Sequence, residues 1–404
     1  MRKRYIVSII ILIAFLAGLI SVLLNRFYTL DYIYKLIIKR EFAVNPRVEI
    51  NPEREYLIRL WHHPFYRTIQ EVDEREFFQE LKKDIEAVYP NIRLFTGEVD
   101  FAAGEEKLRE AIREGNPPDI YFNTGTQVFI EEDLQIAVSP YLDKQERESY
   151  YTVDWQSFGF RDRLWGWPVL VCRQYWIGGK DILGGEYRNL PFLEQLFYLK
   201  EDSLLLNYYD ESLLKQLLAL VGLEKFKMEK GELDPDSHKA LEEVFLFLHG
   251  LREKGVLYKD TKALPDIFLK KLLEDKSVLI GPVNPYLSHF ITERLGDEVE
   301  FIYLDNLVKT YELYIFRQKD YQGDDHSRAV MEAARIFSRK TAGILAEELG
   351  LAKAFLDGEG ERPEVKELPV IHPEYKDYWE EVVWPAWLEF WEQNLSPAEV
   401  MNRF

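Results

Sequence analysis

Residues 104–122 read GEEKLREAIREGNPPDIYF, and the reading of this stretch decides the fold. Leu108, Ala111 and Ile112 recur at helical spacing, Gly115 is placed to end the helix, and Asp119–Phe122 is apolar enough for a buried strand. Working back along the chain, Asn91–Phe95 is a short strand. Asp73–Tyr89 is a helix carrying Phe77, Phe78, Leu81, Ile85 and Val88, with Asp73 as its N-cap. Tyr56–Trp61 (YLIRLW) is a further buried strand. A β-α-β-α-β order over so short a distance implies parallel strands joined by helical crossovers.

Working forward, the pattern from about Pro191 to Glu274 is mainly helical, clearest at Glu211–Leu223 and Ser237–Lys254. Strand character returns at Ser277–Gly281, Val299–Tyr303 and Tyr311–Phe316. Three helices close the chain at Asp325–Lys340, Ile344–Phe355 and Tyr375–Asn394, the last of which Pro385 must kink or interrupt. The expected class is α/β, with two halves joined by more than one crossing and a ligand crevice between them.

Composition narrows the function. The chain has 51 Lys+Arg against 70 Asp+Glu, a net charge of −19. Residues 1–55 are net basic, so the body is more acidic still and is repelled by phosphate backbones, which argues against nucleic-acid binding. One cysteine leaves no intramolecular disulfide to form. Nine Trp, 24 Tyr and 25 Phe exceed what a core needs, so some are expected to line a groove.

Residues 5–24 (YIVSIIILIAFLAGLISVLL) carry no charge and follow Arg2-Lys3-Arg4. At 1.5 Å rise per residue this run matches the ~30 Å hydrocarbon core of a bilayer. It is longer than the apolar core of a cleaved signal, and bulky residues stand at its exit, so residues 1–26 are expected to form an uncleaved transmembrane signal anchor. Residues 27–55 are expected to hold a juxtamembrane segment, either an amphipathic helix at the lipid interface, with Phe27, Leu30, Ile33, Tyr34 and Ile37 at helical spacing, or a stalk that packs on nothing, followed by a polar, proline-marked linker.

The stretch Asn116-Pro117-Pro118-Asp119-Ile120-Tyr121-Phe122 after Gly115 resembles the "G-x-x-PDI" segment of extracellular solute-binding proteins of the sugar-binding, maltose-binding-protein-like type, which serve ABC importers. Arg163–Pro168 (RLWGWP) resembles that family's "G-x-x-Y-G-x-P", Gly179–Leu183 (GKDIL) its "N-K-D-L-L", and Val278–Pro282 (VLIGP) its "M-x-I-N-G-P". The tail Glu392–Val400 resembles the family's closing helix and "S-P-E-E-A"-like start. The resemblance covers roughly residues 56–404. It implies a two-lobed periplasmic-binding-protein clamshell with discontinuous lobes, 56–170 plus 282–340 and 171–281 plus 341–404. Crossings are then expected near Val169–Cys172, near Gly281–Asn284 and after the Asp325–Lys340 helix. Hinge closure around a ligand is the implied mechanism, and the implied partners are a carbohydrate or similar polar solute, ABC permease subunits and the membrane. The large part is expected outside the cell membrane, and no cofactor is implied.

Sugar sites pair flat aromatic faces with polar groups for hydroxyls. Trp61, His62 and His63 end the first strand and are candidates for the crevice; no further His, Cys or acidic group stands at metal-ligand spacing beside the histidines. Asn123 and Thr126 follow the Asp119–Phe122 strand, where the family often places a contacting loop. Trp167 precedes the first crossing, and Cys172, Arg173 and Trp176 lie where the resemblance implies that an inter-lobe strand supplies a polar contact; Arg173 either faces the cleft or pairs with a carboxylate. The place of the family's stacking tryptophan holds Val283-Asn284-Pro285-Tyr286, making Asn284 and Tyr286 candidates. On the last long helix Trp387 is a candidate among tryptophans spaced mostly for a core. A tethered sensor reporting to a signalling partner remains an alternative to import. A glycosidase would need two carboxylates flanking a bond, and no motif singles out such a pair.

Overall fold

The computed structural model describes residues 44–404 except 65, 68–69, 72–73, 101–102, 124–133, 151–158, 161–162, 188, 259–264, 275, 284–290, 293, 350, 356–365, 370 and 372. Residues 13–16, 18 and 20 are also described, and are helical and exposed. The rest of the expected membrane helix and the 27–37 segment lie outside the described residues, as does Asp73. No helix among the described residues is long and apolar enough to cross a membrane.

The opening strands and helices follow the sequence pattern: β1 (Tyr56–His62), α1 (Glu74–Val88), β2 (Ile92–Glu98), α2 (Gly104–Glu114) and β3 (Ile120–Asn123). Strand β1 pairs in parallel with both β2 and β3. Gly115 ends α2 at φ 78°, where a side chain would be strained, and Asn116 N–H closes the turn on Ala111 O at 2.8 Å. The remaining principal elements are β4 (Gly166–Gly179), β5 (Leu204–Leu206), α3 (Glu211–Leu220), α4 (Pro235–Glu253), α5 (Pro265–Glu274), β6 (Leu279–Gly281) and β7 (Val299–Ile315). They are followed by α6 (Asp324–Ile336), α7 (Ala342–Leu349), β8 (Ala352–Lys353), β9 (Lys366–Glu367), α8 (Pro373–Tyr378), α9 (Trp384–Glu392) and α10 (Pro397–Met401).

One nine-stranded sheet runs through the molecule in the order β2-β1-β3-β7-β4-β6-β5, with β8 beside β4 and β9 beside β7. Two large apolar clusters pack against it. The first joins β1–β3 and the amino half of β4 to Val308–Ile315 of β7 and the helices α1, α6 and α7. The second joins Trp176, β5, β6, Leu304 and Leu307 to α3, α4 and the C-terminal helices. Smaller clusters cover the opposite face of each half, as strand alternation demands: Leu204 and Leu206 face one side, Leu205 the other.

Long strands β4 and β7 carry the chain between the halves. Their register breaks once there: Tyr303 pairs Tyr175 and Val308 pairs Arg173, so residues 304–307 stand against Gln174 alone. The two strands expected at 299–303 and 311–316 are thus one strand passing through both halves. Beside them, β8 pairs Val171 and Leu170 while β9 pairs Leu307 and Val308, so the third connection runs between residues 353 and 366.

These positions correct the expected layout. Gly281 is not at a crossing: β6 lies between β4 and β5, and a Cβ on Gly281 would sit inside the Trp176 ring, while Asn284 lies outside the described residues. Residues 299–307 pack with the second half, and Ala342, Leu345, Leu349 and Ala354 with the first, so lobe borders at 282 and 341 do not match the packing. The third crossing comes after α7, not directly after α6. In the last helical region the interruption takes the form of a π-turn at Trp379–Val383, which ends two residues before Pro385, a residue with no N–H to continue the ladder.

The polar stretch expected as a linker packs on the first half. Val44 and Ile50 lie against the first cluster, Arg328 donates to Pro46 O at 3.0 Å, and Asn91 donates to the carbonyls of Asn51 and Arg54. Arg54 grips both Asp325 oxygens at 3.0 and 2.9 Å, and the Tyr56 hydroxyl donates to the same carboxylate at 2.7 Å.

Candidate functional site

Strand direction locates the crevice. Strand β3 ends at Asn123, opposite Glu312 of β7, so it points toward the crossing from the first half. In the second half Leu279 and Ile280 pair Gly178 and Ile177, so β6, with β5 parallel to it, points toward the crossing from the other side. The carboxyl ends of two parallel strand sets therefore converge on one place, where open α/β sheets bind ligands.

On the wall of the first half, His62 and His63 are both 3% exposed. His62 Nδ1 donates to His63 O at 2.9 Å and its ring lies 4.4 Å from that of Phe78; burial lowers its pKa to about 4, keeping it neutral. His63 Nε2 meets the Tyr121 hydroxyl at 2.6 Å, with the Gly104 backbone against its ring. Burial pushes the Tyr121 hydroxyl up, with the Glu105 charge adding to it. Beside Tyr121 in register stands Tyr314, whose hydroxyl burial and Glu312 hold well above its usual range, a hydrogen bond with Asn123 working the other way. His63, Tyr121, Asn123, Glu312 and Tyr314 thus form one buried polar cluster at the carboxyl end of β3. Of these, sequence reasoning named His63 and Asn123; Tyr121 and Tyr314 read only as apolar strand residues.

Glu105, on the first turn of α2, completes this wall. Arg109 Nε and Nη2 both donate to its Oε1 at 3.0 Å, and Lys376 Nζ reaches the same oxygen at 2.8 Å. Burial works upward on the Glu105 carboxyl, and the Lys376 and Arg109 bonds overcome it, holding the group below the usual carboxylate range. Helix α2 belongs to the first half and α8, which carries Lys376, packs through Tyr375 and Tyr378 on the second. The bond therefore spans the crevice.

At the floor, Lys309 pairs Cys172 across β7 and β4. Burial lowers the Lys309 amine, while Cys172, Asp210 and Glu312 act to raise it. Arg173 is exposed, with its guanidinium 4.4 Å from the Tyr303 ring centre. On the second half, the carboxyl end of β5 leads into Tyr208 and Tyr209. Tyr208 stacks on Trp391 at 5.1 Å, and the half-exposed Tyr209 donates to Glu392 at 3.1 Å.

The tryptophan candidates separate differently. Trp167, Trp176 and Trp387 are fully buried, and each indole N–H is committed within the fold: to Tyr150 at 2.7 Å, to Gln216 at 2.8 Å and to the Tyr208 carbonyl at 2.8 Å. They are core residues. Trp61 lies half-buried over Gly97 beneath Lys107, 5.6 Å away, and packs with the smaller cluster of the first half. Cys172 is buried at the crossing. Thr126, Asn284 and Tyr286 lie outside the described residues. Among the described residues no group of His, Cys, Asp and Glu is arranged to hold a metal ion. The polar groups assembled here, amide, hydroxyl, imidazole and carboxylate, are donors and acceptors suited to a hydroxyl-rich ligand.

No family model matches the sequence, and no curated protein matches it. Solved structures do. An ABC substrate-binding protein from Listeria monocytogenes in complex with cycloalternan is 13% identical with a TM-score of 0.60, covering 86% of this chain and 96% of its own. The maltose/maltodextrin-binding domain from Bdellovibrio bacteriovorus bound to maltotriose is 13% identical at TM-score 0.59, covering 86% and 97%. A cyclic α-maltosyl-1,6-maltose-binding protein from Arthrobacter globiformis is 10% identical at TM-score 0.62, again covering 86% and 97%. The chain therefore has the two-lobed α/β fold of ABC carbohydrate-binding proteins. These neighbours are binding proteins.

Proposed function

We propose that this chain is a membrane-anchored, extracytoplasmic solute-binding protein that captures a carbohydrate or similar hydroxyl-rich solute between its lobes and delivers it to an ABC permease. The observation that carries this reading is the convergence of two parallel strand sets on the β4–β7 crossing, with His63, Tyr121, Asn123 and Glu312 on one wall and Tyr208 and Tyr209 on the other. The moving units are the two packed halves, and the register break at Gln174 and residues 304–307 supplies the hinge. The uncharged apolar run 5–24, long enough to span a bilayer, supports anchoring, and the likeness in fold to ABC substrate-binding proteins supports a body outside.

The test is calorimetric titration of the full-length chain in detergent with linear and cyclic glucose oligosaccharides, then acidic and amino sugars. Saturable binding at about one ligand per chain is expected, weakened at least tenfold by Tyr121→Phe or Asn123→Ala. Silence across the whole panel would overturn carbohydrate capture. Cleavage of the body by protease added to intact spheroplasts tests its location, and full protection would place it inside.

A further inference from the structure

We propose that Glu105 and Lys376 form a latch that holds the two lobes together before any ligand arrives. The inference rests on the reading of the crevice as a closing site, and it concerns what sets the open–closed balance there.

Glu105 sits on α2, whose Leu108 and Ile112 are buried with Val99, Tyr121 and Tyr314 of the first half. Lys376 sits on α8, anchored by Tyr375 and Tyr378 against the second half. The 2.8 Å bond between them joins two packed halves that the crossing strands also connect. Other ion pairs described for α2 and α8 are local: Arg109 with Glu105 and Arg113 with Glu106 within α2, and Lys376 with Glu380 one turn further along its own segment. The bridging pair is about as sheltered as Arg109–Glu105 and far more sheltered than Arg113–Glu106. Lys376 and Glu105 side chains are 22% and 31% exposed, against 68% and 71% for Arg113 and Glu106. Shelter reduces screening, so the pair outweighs a fully exposed one.

The geometry also assigns a direction to the effect. The Glu105 carboxylate meets Lys376 only while the halves approach, so its attraction favours the closed form alone. A ligand then has less work to do in closing the lobes, and its apparent affinity rises by the fraction already closed. The helix that carries Glu105 packs through Leu108 and Ile112 with Tyr121, which His63 pins at 2.6 Å, so the latch is borne by an element of the polar wall that would face a ligand.

The test reads lobe separation without any ligand. Nitroxide labels are placed at Ala87→Cys on α1 and Glu242→Cys on α4, both exposed sites in opposite halves; the native Cys172 is buried and does not label. Electron–electron distance measurements on the full-length chain are expected to show a short distance. Glu105→Gln and Lys376→Met should each lower the closed-to-open ratio roughly two- to fivefold. The double variant should fall no further than either single change, and Arg113→Met should leave the distance unaltered. Raising salt to about 1 M, where screening reaches ~3 Å, should lengthen the distance in the parent and not in the variants. Unchanged distances in both single variants would overturn the latch, whether or not a carbohydrate is ever found to bind. Circular dichroism matching the parent excludes misfolding as the cause of a lengthened distance.

Discussion

His62 and Gly281 show how single residues translate into measurable behaviour. His62 titrates at about 4 in the fold against 6.5 unperturbed, because burial against Phe78 disfavours the imidazolium. Between those values the unfolded chain binds a proton that the folded chain refuses. Stability is therefore full above about pH 6.5 and falls as pH drops toward 4, by at most roughly 3 kcal/mol. His62→Gln, which keeps a donor for the His63 carbonyl, should flatten the melting temperature over that window; an unchanged slope would assign the loss to other groups. At Gly281 the obstacle is steric. Trp176 is fully buried and held by Gln216, so Gly281→Ala must displace an indole with nowhere to go. A loss of about 1–3 kcal/mol in denaturant unfolding is expected. Residue roles were the least legible part of the sequence. Trp167, Trp176 and Trp387 look alike in a strand or helix whether they face a core or a crevice. What decides is an N–H partner such as Gln216, forty residues from Trp176.

At the scale of elements, the PPDI segment gains a physical account. Asp119 is 1% exposed and accepts from the Arg59 N–H at 2.8 Å, while its other oxygen meets His326 Nε2 at 3.1 Å. Arg59 in turn donates to the Pro117 carbonyl at 2.6 Å. One carboxylate thus ties β1, the start of β3 and α6 together, fixing the strand whose far end forms the crevice wall. Asp119→Ala should cost about 3–5 kcal/mol, since it strips partners from buried donors, and Asp119→Asn should recover part of that. Equal losses in the two would mean that charge, not hydrogen bonding, holds the motif. The β-α-β-α-β opening was readable because each strand and helix is periodic within itself. The crossing was not: Leu304-Asp305-Asn306-Leu307 carries two polar residues that break the alternation, so β7 reads as two strands. The 45–55 stretch reads as a linker for the converse reason, since the Pro46 and Asn51 carbonyls and the Arg54 side chain find their partners in Arg328, Asn91 and Asp325 far along the chain.

For the whole molecule, the question is whether two cores melt as two bodies. Lobe packing alone suggests that they should, because the two large clusters share no residue. The sheet argues otherwise. Strands β4 and β7 are central to both halves, and Val308 belongs to the first cluster one residue after Leu307 of the second. If either half unfolds, the other loses the anchored end of its two middle strands and gains a pair of open sheet edges. A single calorimetric transition is therefore expected for the body. Ile58→Ala in the first core and Leu217→Ala in the second should each lower that same transition, with about 2–5 kcal/mol lost from either fully buried site. A ligand held between the lobes should raise it by about 2.7 kcal/mol at a hundred times its dissociation constant. Two transitions, each shifted by only one of the substitutions, would show that the crossing strands transmit motion but not stability. The register break at Gln174 would then be a true boundary between folding units, and not merely a hinge within one.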